Sequence, residues 1–350
     1  MSKTERSDIV MIKLLLGGSP CTFWSIAQKN NRETTPTGLG WELFKNYLIA
    51  KQKFQPNYFL YENNVSAAEP IKQKIREELE VNDGTFFTLG NKNEYIEINS
   101  ALVSAQNRQR FYVHNCGEVE QPEDRGILLR DILETTAFIT NGGHATTGIA
   151  EPIRIGALPR PNGELSTSAG MRIYSAVGKG RCLIANGGGQ GAKTGLYAIP
   201  TDKPVYEVKD GFVTIKGKQY PIKLADGYYI IRKLTVKECC RLQTMPDDYC
   251  RVVSDSQAYK GLGNGWTAEV IIHILSNALK NVPKDERIII LSMYDGIGTG
   301  RYCLGKMGFT NIVYHAYEID KYAMKIALSN YPDIIQHGDA FQVRNNFIKF

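Results

Sequence analysis

The residues best suited to covalent chemistry stand early in the chain. Gly17-Gly18-Ser19-Pro20-Cys21 sets a cysteine on a tight loop after the apolar run 11–16. Glu62-Asn63-Asn64 follows the apolar run Tyr58-Phe59-Leu60-Tyr61, and Gln106-Asn107-Arg108-Gln109-Arg110 comes later. A thiolate is a strong nucleophile, a carboxylic acid can deliver a proton, and arginine grips an oxygen. This set suits nucleophilic attack on a ring that must be protonated elsewhere. A free thiol ionises near pH ~8.5, and a neighbouring arginine or helix N-terminus lowers that value.

A second constellation lies near the other end. The apolar run Ile288-Ile-Ile-Leu-Ser-Met293 leads into Tyr294-Asp295-Gly296-Ile297-Gly298-Thr299-Gly300. A glycine turn after a buried strand lets a ligand approach the backbone at a helix N-terminus. Some twenty residues on, Glu318 ends the next apolar run, where a carboxylate can accept from both hydroxyls of a ribose. Asp339, after the third run, is positioned for the amine of an adenine. The glycine spacing departs from the Gly-x-Gly-x-x-Gly of dinucleotide sites, which favours an adenosyl ligand without a pyrophosphate, S-adenosylmethionine, over NAD.

The elements that must position these groups read as an α/β domain. Strands are expected at 11–16, 58–61, 287–293, 311–317 and 334–337, and at 95–103 and 110–116 around a polar tip. Helices are expected at 41–54, 70–80, 267–279, 300–307 and 320–330. Thr235 and Glu238 have capping-box spacing for a further helix through Gln243. Strand, loop and helix in alternation imply a parallel sheet covered on both faces. The C-terminal ends of parallel strands share one edge, so Cys21 and Glu62 are expected to share a cleft with the cofactor.

From about 135 to 228 the texture changes. Thirteen of the 33 glycines lie between 141 and 200, and helical periodicity vanishes. Between 141 and 223 there are 11 Lys/Arg against 5 Asp/Glu, whereas the rest of the chain holds 31 of each. The entire excess of +6 sits in this segment, as expected of a β-leaning inserted lobe that meets a polyanion. The expected division is therefore 1–134 and 229–350 as one domain, with the lobe at 135–228 between them. Seven scattered cysteines without a Cys-x-x-Cys pair, and histidines (114, 144, 273, 315, 337) without ligand spacing, predict neither disulfides nor a metal. No apolar run approaches the ~20 residues of a membrane span, and Lys13 interrupts the N-terminal apolar run that a signal peptide would need. A soluble cytoplasmic protein is expected.

These motifs together resemble those of the DNA cytosine-5 methyltransferases. The family's Pro-Cys is similar to Pro20-Cys21, its Glu-Asn-Val to Glu62-Asn63-Asn64, and its Gln-x-Arg-x-Arg to Gln106, Arg108 and Arg110. Its Gly-Asn at a helix start is similar to Gly263-Asn264-Gly265-Trp266. The 294–300 motif resembles the animal de novo branch and its bacterial and phage relatives. Asn64 departs from the usual valine, and the order departs too, because the cofactor motifs come last. The resemblance implies a Rossmann-like class I S-adenosylmethionine-dependent methyltransferase fold, circularly permuted, with 135–228 as target-recognition lobe.

The resemblance further implies that Cys21 attacks carbon 6 of cytosine, Glu62 binds ring nitrogen 3, and Arg108 holds the base oxygen, with Gln106 and Arg110 as braces. Tyr294 would stack on adenine, Glu318 with Ile319 would meet the ribose side, and Asp339 with Ala340 the adenine. Pro20 and the turn Asn264-Gly265-Trp266 would close the methionine end. A base inside a duplex is out of reach, so it would be flipped out of double-stranded DNA. Arg154, Arg160, Arg172, Arg181 and Lys193 are the candidate DNA contacts. A bacterial or phage-encoded enzyme is expected, with a restriction endonuclease as a possible partner. Two rival readings are a tRNA cytosine-5 methyltransferase and an inactive DNA-binding relative. The sizeable glycine-rich lobe speaks for DNA over RNA, and the retained Cys21, Glu62 and Arg108 speak against an inactive relative. A dehydrogenase would leave Pro20-Cys21 unexplained.

Overall fold

The computed structural model describes residues 11–26, 31–82, 92–134, 151–185 and 194–347. Compactness divides the chain into two units, one comprising 1–98, 109–121 and 268–350, the other 99–108 and 122–267. The second takes in more than the lobe expected at 135–228, including 229–267 with its capped helix Val236–Leu242.

The first unit is built on a seven-stranded sheet. Its strands in chain order are β1 (Ile12–Gly17), β2 (Tyr58–Asn64), β3 (Glu94–Asn99), β4 (Gln109–His114), β5 (Ile288–Met293), β6 (Ile312–Tyr317) and β7 (Ile334–Gln336). Across the sheet the order is β7-β6-β5-β1-β2-β4-β3. The five strands from β7 to β2 are parallel, and β4 runs antiparallel to β2. Counted from β5, the parallel strands read 3-2-1-4-5, the order of doubly wound sheets, with the reversal between β5 and β1. Ligands of such sheets sit beyond the carboxyl ends at that reversal.

Strand composition follows from burial on both faces. Leu14, Leu15 and Leu16 are all fully buried, as are Ile288, Ile290 and Leu291, so these strands are continuous apolar runs. One face packs on α1 (Gly38–Phe54), where Leu15, Leu291 and Met293 join Phe44, Tyr47 and Phe54 in one core. On the other face, Leu16 reaches the helix Thr299–Lys306, where a Cβ on Gly300 would lie 2.8 Å from Leu16 Cδ1 and 2.5 Å from the Tyr314 hydroxyl. A second helix, α2 (Glu69–Glu78), buries Ile71 and Ile75 in the α1 core. Gly300 is thus small because helix and strand meet there.

The second unit carries a separate seven-stranded sheet ordered 218–221, 212–215, 206–209, 227–232, 196–200, 172–175, 154–157, antiparallel except for the pair 172–175 and 196–200. Here strands alternate. Val208, Val213, Tyr220 and Tyr229 are buried, while Lys209, Phe212, Gln219 and Tyr228 face out. Asp210-Gly211 and Lys216-Gly217, all at positive φ, make the two-residue hairpin turns. No helix among the described residues is long and apolar enough to cross a membrane.

Candidate active site

At the end of β1 the backbone passes hard against β2. A Cβ on Gly18 would lie 2.7 Å from the Glu62 carbonyl oxygen and 2.9 Å from its Oε2, so only glycine fits. Cys21, half-buried, opens the short 3-10 turn Cys21–Phe23, and its carbonyl accepts from the amides of Trp24 and Ser25. The loop is pinned by Asn63, whose Nδ2 donates to Ser19 O (3.0 Å), Tyr61 Oη (3.1 Å) and Ser19 Oγ (3.3 Å). Ser19 and Tyr61 hydroxyls are themselves 2.7 Å apart. The asparagine of Glu62-Asn63 therefore fixes the cysteine loop, a role that sequence reading did not give it. Asn64, in place of the usual valine, spends its Oδ1 on the amide of Ser66.

Glu62 is buried, and its Oε1 pairs with Arg110 Nε at 2.9 Å. Arg108 takes a different place from the one expected. Only 2% exposed, its guanidinium donates to the carbonyls of Leu183, Gly263 and Gly265 and to Cys182 Sγ. The cause is a break in the strand. Gln106–Asn107 pairs with Gly180–Arg181 in a small separate sheet, whereas Gln109–His114 belongs to β4, and Arg108 is the joint between them. Gln106 is a brace as expected, donating to Leu242 O and Gln243 Oε1 and accepting from Leu183 N. Gln243 is a hub without a signal in the sequence, since it also accepts from Thr267 and donates to Leu262 O and Gly265 O.

The glycine loop follows β5, with Tyr294, Gly296 and Gly298 all at positive φ. A Cβ on Gly296 would meet nothing within 4 Å, so the space there is open to a ligand. Beside it stands Glu318. Its Oε2 accepts from the amide of Gly296 and its Oε1 from those of Ile319 and Asp320, each at 2.8 Å. The carboxylate is thus aimed before any ligand arrives, with Ile319 71% exposed next to it. Asp339 is exposed and caps the amide of Phe341. An open glycine turn, a fixed carboxylate, an exposed apolar side chain and a second carboxylate fit an adenosyl group.

Other residues expected at the cofactor are turned inward. Asp295 is buried, its Oδ1 accepts from Ser292 Oγ and Tyr314 Oη at 2.7 Å each, and burial pushes its carboxyl up to about 6 despite those bonds. Ile297, Thr299 and Ala340 are buried as well, and Pro20 is exposed. Asn264 does not start a helix. It ends the helix Asp255–Asn264, with Gly265 as its cap and Trp266 half-buried, and the next helix begins at Ala268. Gly263, within that earlier helix, has to be glycine, because a Cβ there would come 2.3 Å from the Ile184 backbone.

Of the expected DNA contacts, Arg154 is exposed on its strand. Arg160 and Arg172 both donate to Thr167, and Arg181 donates to Tyr174 Oη while its guanidinium lies 5.7 Å from that ring centre. Lys193 lies outside the described residues.

Comparison with known proteins agrees with this geometry. Residues 1–135 and 185–280 match the family model described as C-5 cytosine-specific DNA methylase. Among curated relatives, the chain is 40% identical over 50 residues to Type II methyltransferase M.BanI of Aneurinibacillus aneurinilyticus (14% of this chain, 12% of that protein). It is 35% identical over 108 residues to Type II methyltransferase M.HhaI of Haemophilus parahaemolyticus (31% and 24%). A longer match, 25% identical over 300 residues, runs to Type II methyltransferase M.FnuDI of Fusobacterium nucleatum (79% and 78%). The chain thus spans a quarter or less of the length of the first two and over three quarters of the third. The Rossmann-like sheet is that of the class I methyltransferases, and with well over half of its residues matched the chain belongs to the C-5 cytosine-specific DNA methylase family.

Proposed function

We propose that the protein transfers a methyl group from S-adenosylmethionine to carbon 5 of a cytosine flipped out of double-stranded DNA. The observation that carries this is the shared edge of the parallel strands. Gly17 of β1 is in register with Met293 of β5 and Tyr61 of β2, and Met293 with Tyr317 of β6. The cysteine loop, Glu62, the glycine turn and Glu318 follow directly from those positions.

The cofactor supplies an electrophilic methyl group on a sulfonium. Glu318 holds its ribose, Ile319 and Tyr294 flank its adenine, and Asp339 meets the amine. Cys21 Sγ, as thiolate, forms a bond to carbon 6, and Glu62 gives ring nitrogen 3 the proton that neutralises the resulting negative charge. Carbon 5 then carries the electron pair that takes the methyl group. Return of the nitrogen 3 proton to Glu62 and loss of the carbon 5 proton to water break the bond to carbon 6 and release Cys21 as the thiolate. Arg110, fixed on Glu62, takes the role expected of Arg108 and holds the base oxygen, while Arg108 braces the second unit.

The reading extends to chain order and partners. Two observations support a circularly permuted arrangement: the doubly wound order emerges when counting starts at Ile288, and the family match ends at 280, before the glycine motif. The segment 135–228 acts as target-recognition lobe, Arg154 and Arg160 contacting phosphates. Bacterial relatives named type II methyltransferases and a phage relative named an orphan methyltransferase support a bacterial or phage origin, and a cytoplasmic location and a cognate restriction endonuclease as optional partner belong to the same reading.

Bisulfite sequencing of DNA from a methylation-free bacterium expressing the protein tests this. The expected outcome is cytosine methylation in one short context, absent with Cys21→Ser. Folded protein that leaves DNA unmodified but methylates tRNA would overturn the DNA assignment, and a Cys21→Ser variant that still methylates would overturn the nucleophile.

A further inference from the structure

We propose that Asn46, on α1, is a positioning residue for the cofactor, acting through the hydroxyl of Tyr294; the inference rests on the cofactor reading above. Tyr294 sits at φ 60, a left-handed conformation that a bulky aromatic residue keeps only where its surroundings over-determine it. What holds it comes from α1. The Tyr294 hydroxyl donates to Leu43 O at 2.7 Å and accepts from Asn46 Nδ2 at 3.2 Å.

Asn46 is fully buried, and its amide orientation is dictated from the far side. Arg344 Nε donates to Asn46 Oδ1 at 2.6 Å, and its Nη2 donates to Glu42 Oε2 (2.9 Å) and Glu42 O (3.1 Å). A guanidinium can only donate, so Oδ1 must face Arg344 and Nδ2 must face Tyr294. The hydroxyl, receiving from Asn46, has its proton left for Leu43 O. The bonds thus run one way, Arg344 to Asn46 to Tyr294 to Leu43, and each polarises the next. Lys53, also on α1, donates to the carbonyls of Val343 and Arg344. Helix α1 therefore ties together the segment just after Asp339 and the ring of Tyr294, two walls of the adenine site that arise from different strand ends.

Binding of S-adenosylhomocysteine measured calorimetrically, with steady-state kinetics in S-adenosylmethionine, tests the inference on Asn46→Leu, Asn46→Asp, Tyr294→Phe and the Asn46→Leu/Tyr294→Phe double variant. Loss of one such hydrogen bond is expected to raise Kd roughly five- to tenfold. The KM for S-adenosylmethionine should rise by a similar factor, far more than kcat falls. Tyr294→Phe removes the Asn46–Tyr294 bond together with the one to Leu43 O, so it should raise Kd at least as much, and the double variant should be no worse than Tyr294→Phe alone. Asn46→Asp keeps an acceptor for Arg344 but loses the donor, so it should raise Kd while keeping Tm, and it decides the matter if Asn46→Leu fails to fold. Multiplying effects in the double variant, or an unchanged Kd in the Asn46 variants, would overturn the inference alone. A wild-type protein that does not bind S-adenosylhomocysteine would overturn the cofactor reading as well.

Discussion

The two units solve the burial problem in opposite ways. In the first, the central strands are buried on both faces, so nearly every strand residue from Leu14 to Leu16 and Ile288 to Leu291 is apolar. The groups best suited to chemistry, Cys21, Glu62 and Glu318, stand at the carboxyl ends of these parallel strands or just beyond them. In the second, one face of an antiparallel sheet is wet, and Lys209, Phe212, Gln219 and Tyr228 alternate with Val208, Val213, Tyr220 and Tyr229. A sheet buried twice concentrates its function at an edge, whereas a half-wet sheet spreads polar side chains over a surface. Reaction chemistry suits the first arrangement and contact with an extended polyanion the second.

The largest expected effect separates the two arginines. Arg108→Met removes the donor from three buried carbonyls and should cost about 3–5 kcal/mol in urea unfolding. Arg110→Met should instead be seen foremost in turnover, and the reverse pattern would exchange their roles.

Next in size is pH, which acts on the first unit through two buried groups of opposite sign. Burial lowers His114 from 6.5 to about 4, so the stability it contributes is present above pH 6.5 and lost as pH falls through 4. Burial raises Asp295 from 3.8 to about 6, so its contribution is present below pH 3.8 and lost as pH rises through 6. Each is on the order of 3 kcal/mol from the shift alone. The two windows overlap and oppose each other, so His114→Leu should leave stability falling as pH rises from about 4 to 6, and Asp295→Asn should leave it rising over the same interval. Identical curves for wild type and variants would show that these groups do not titrate as described.

A smaller effect is local. Gly18→Ala pushes a methyl group into Glu62, and a displacement near 1 Å should lower kcat roughly 10²-fold. The smallest concerns the wet surface. Arg154→Gln should leave stability within about 0.5 kcal/mol yet reduce the slope of log affinity for DNA against log salt by about 1. An unchanged slope would remove Arg154 from the interface.

What could be read from the sequence were the devices whose parts are adjacent. Pro20-Cys21, Glu62 and the 294–300 turn each follow an apolar run, so their edge position came with the strand pattern. The Thr235 capping box was legible for the same reason, and both of its reciprocal bonds are present. Illegible were roles set by distant partners. Asn46 answers to Arg344, Gln243 to Gln106, and Lys179 is buried with its ammonium on the carbonyls of Ala101, Ser104 and Ile127. The different surroundings of Arg108, on the carbonyls of Leu183, Gly263 and Gly265, and of Arg110, on Glu62, were hidden as well. Two residues apart on one strand they would share a face, but the strand breaks at Arg108, which lies between the two sheets while Arg110 stays in β4.

The register of β1 has a consequence for synthesis. Ile12 pairs with Ile288, which lies far later in the sequence. At translation rates of about 5–20 residues per second, that partner emerges roughly 15–60 s later. Until then the nascent chain carries an apolar strand without the neighbour that covers one of its edges. Such long-range parallel pairing makes for slow folding, and it gives a chaperone that shields exposed strands a window in which yield is decided.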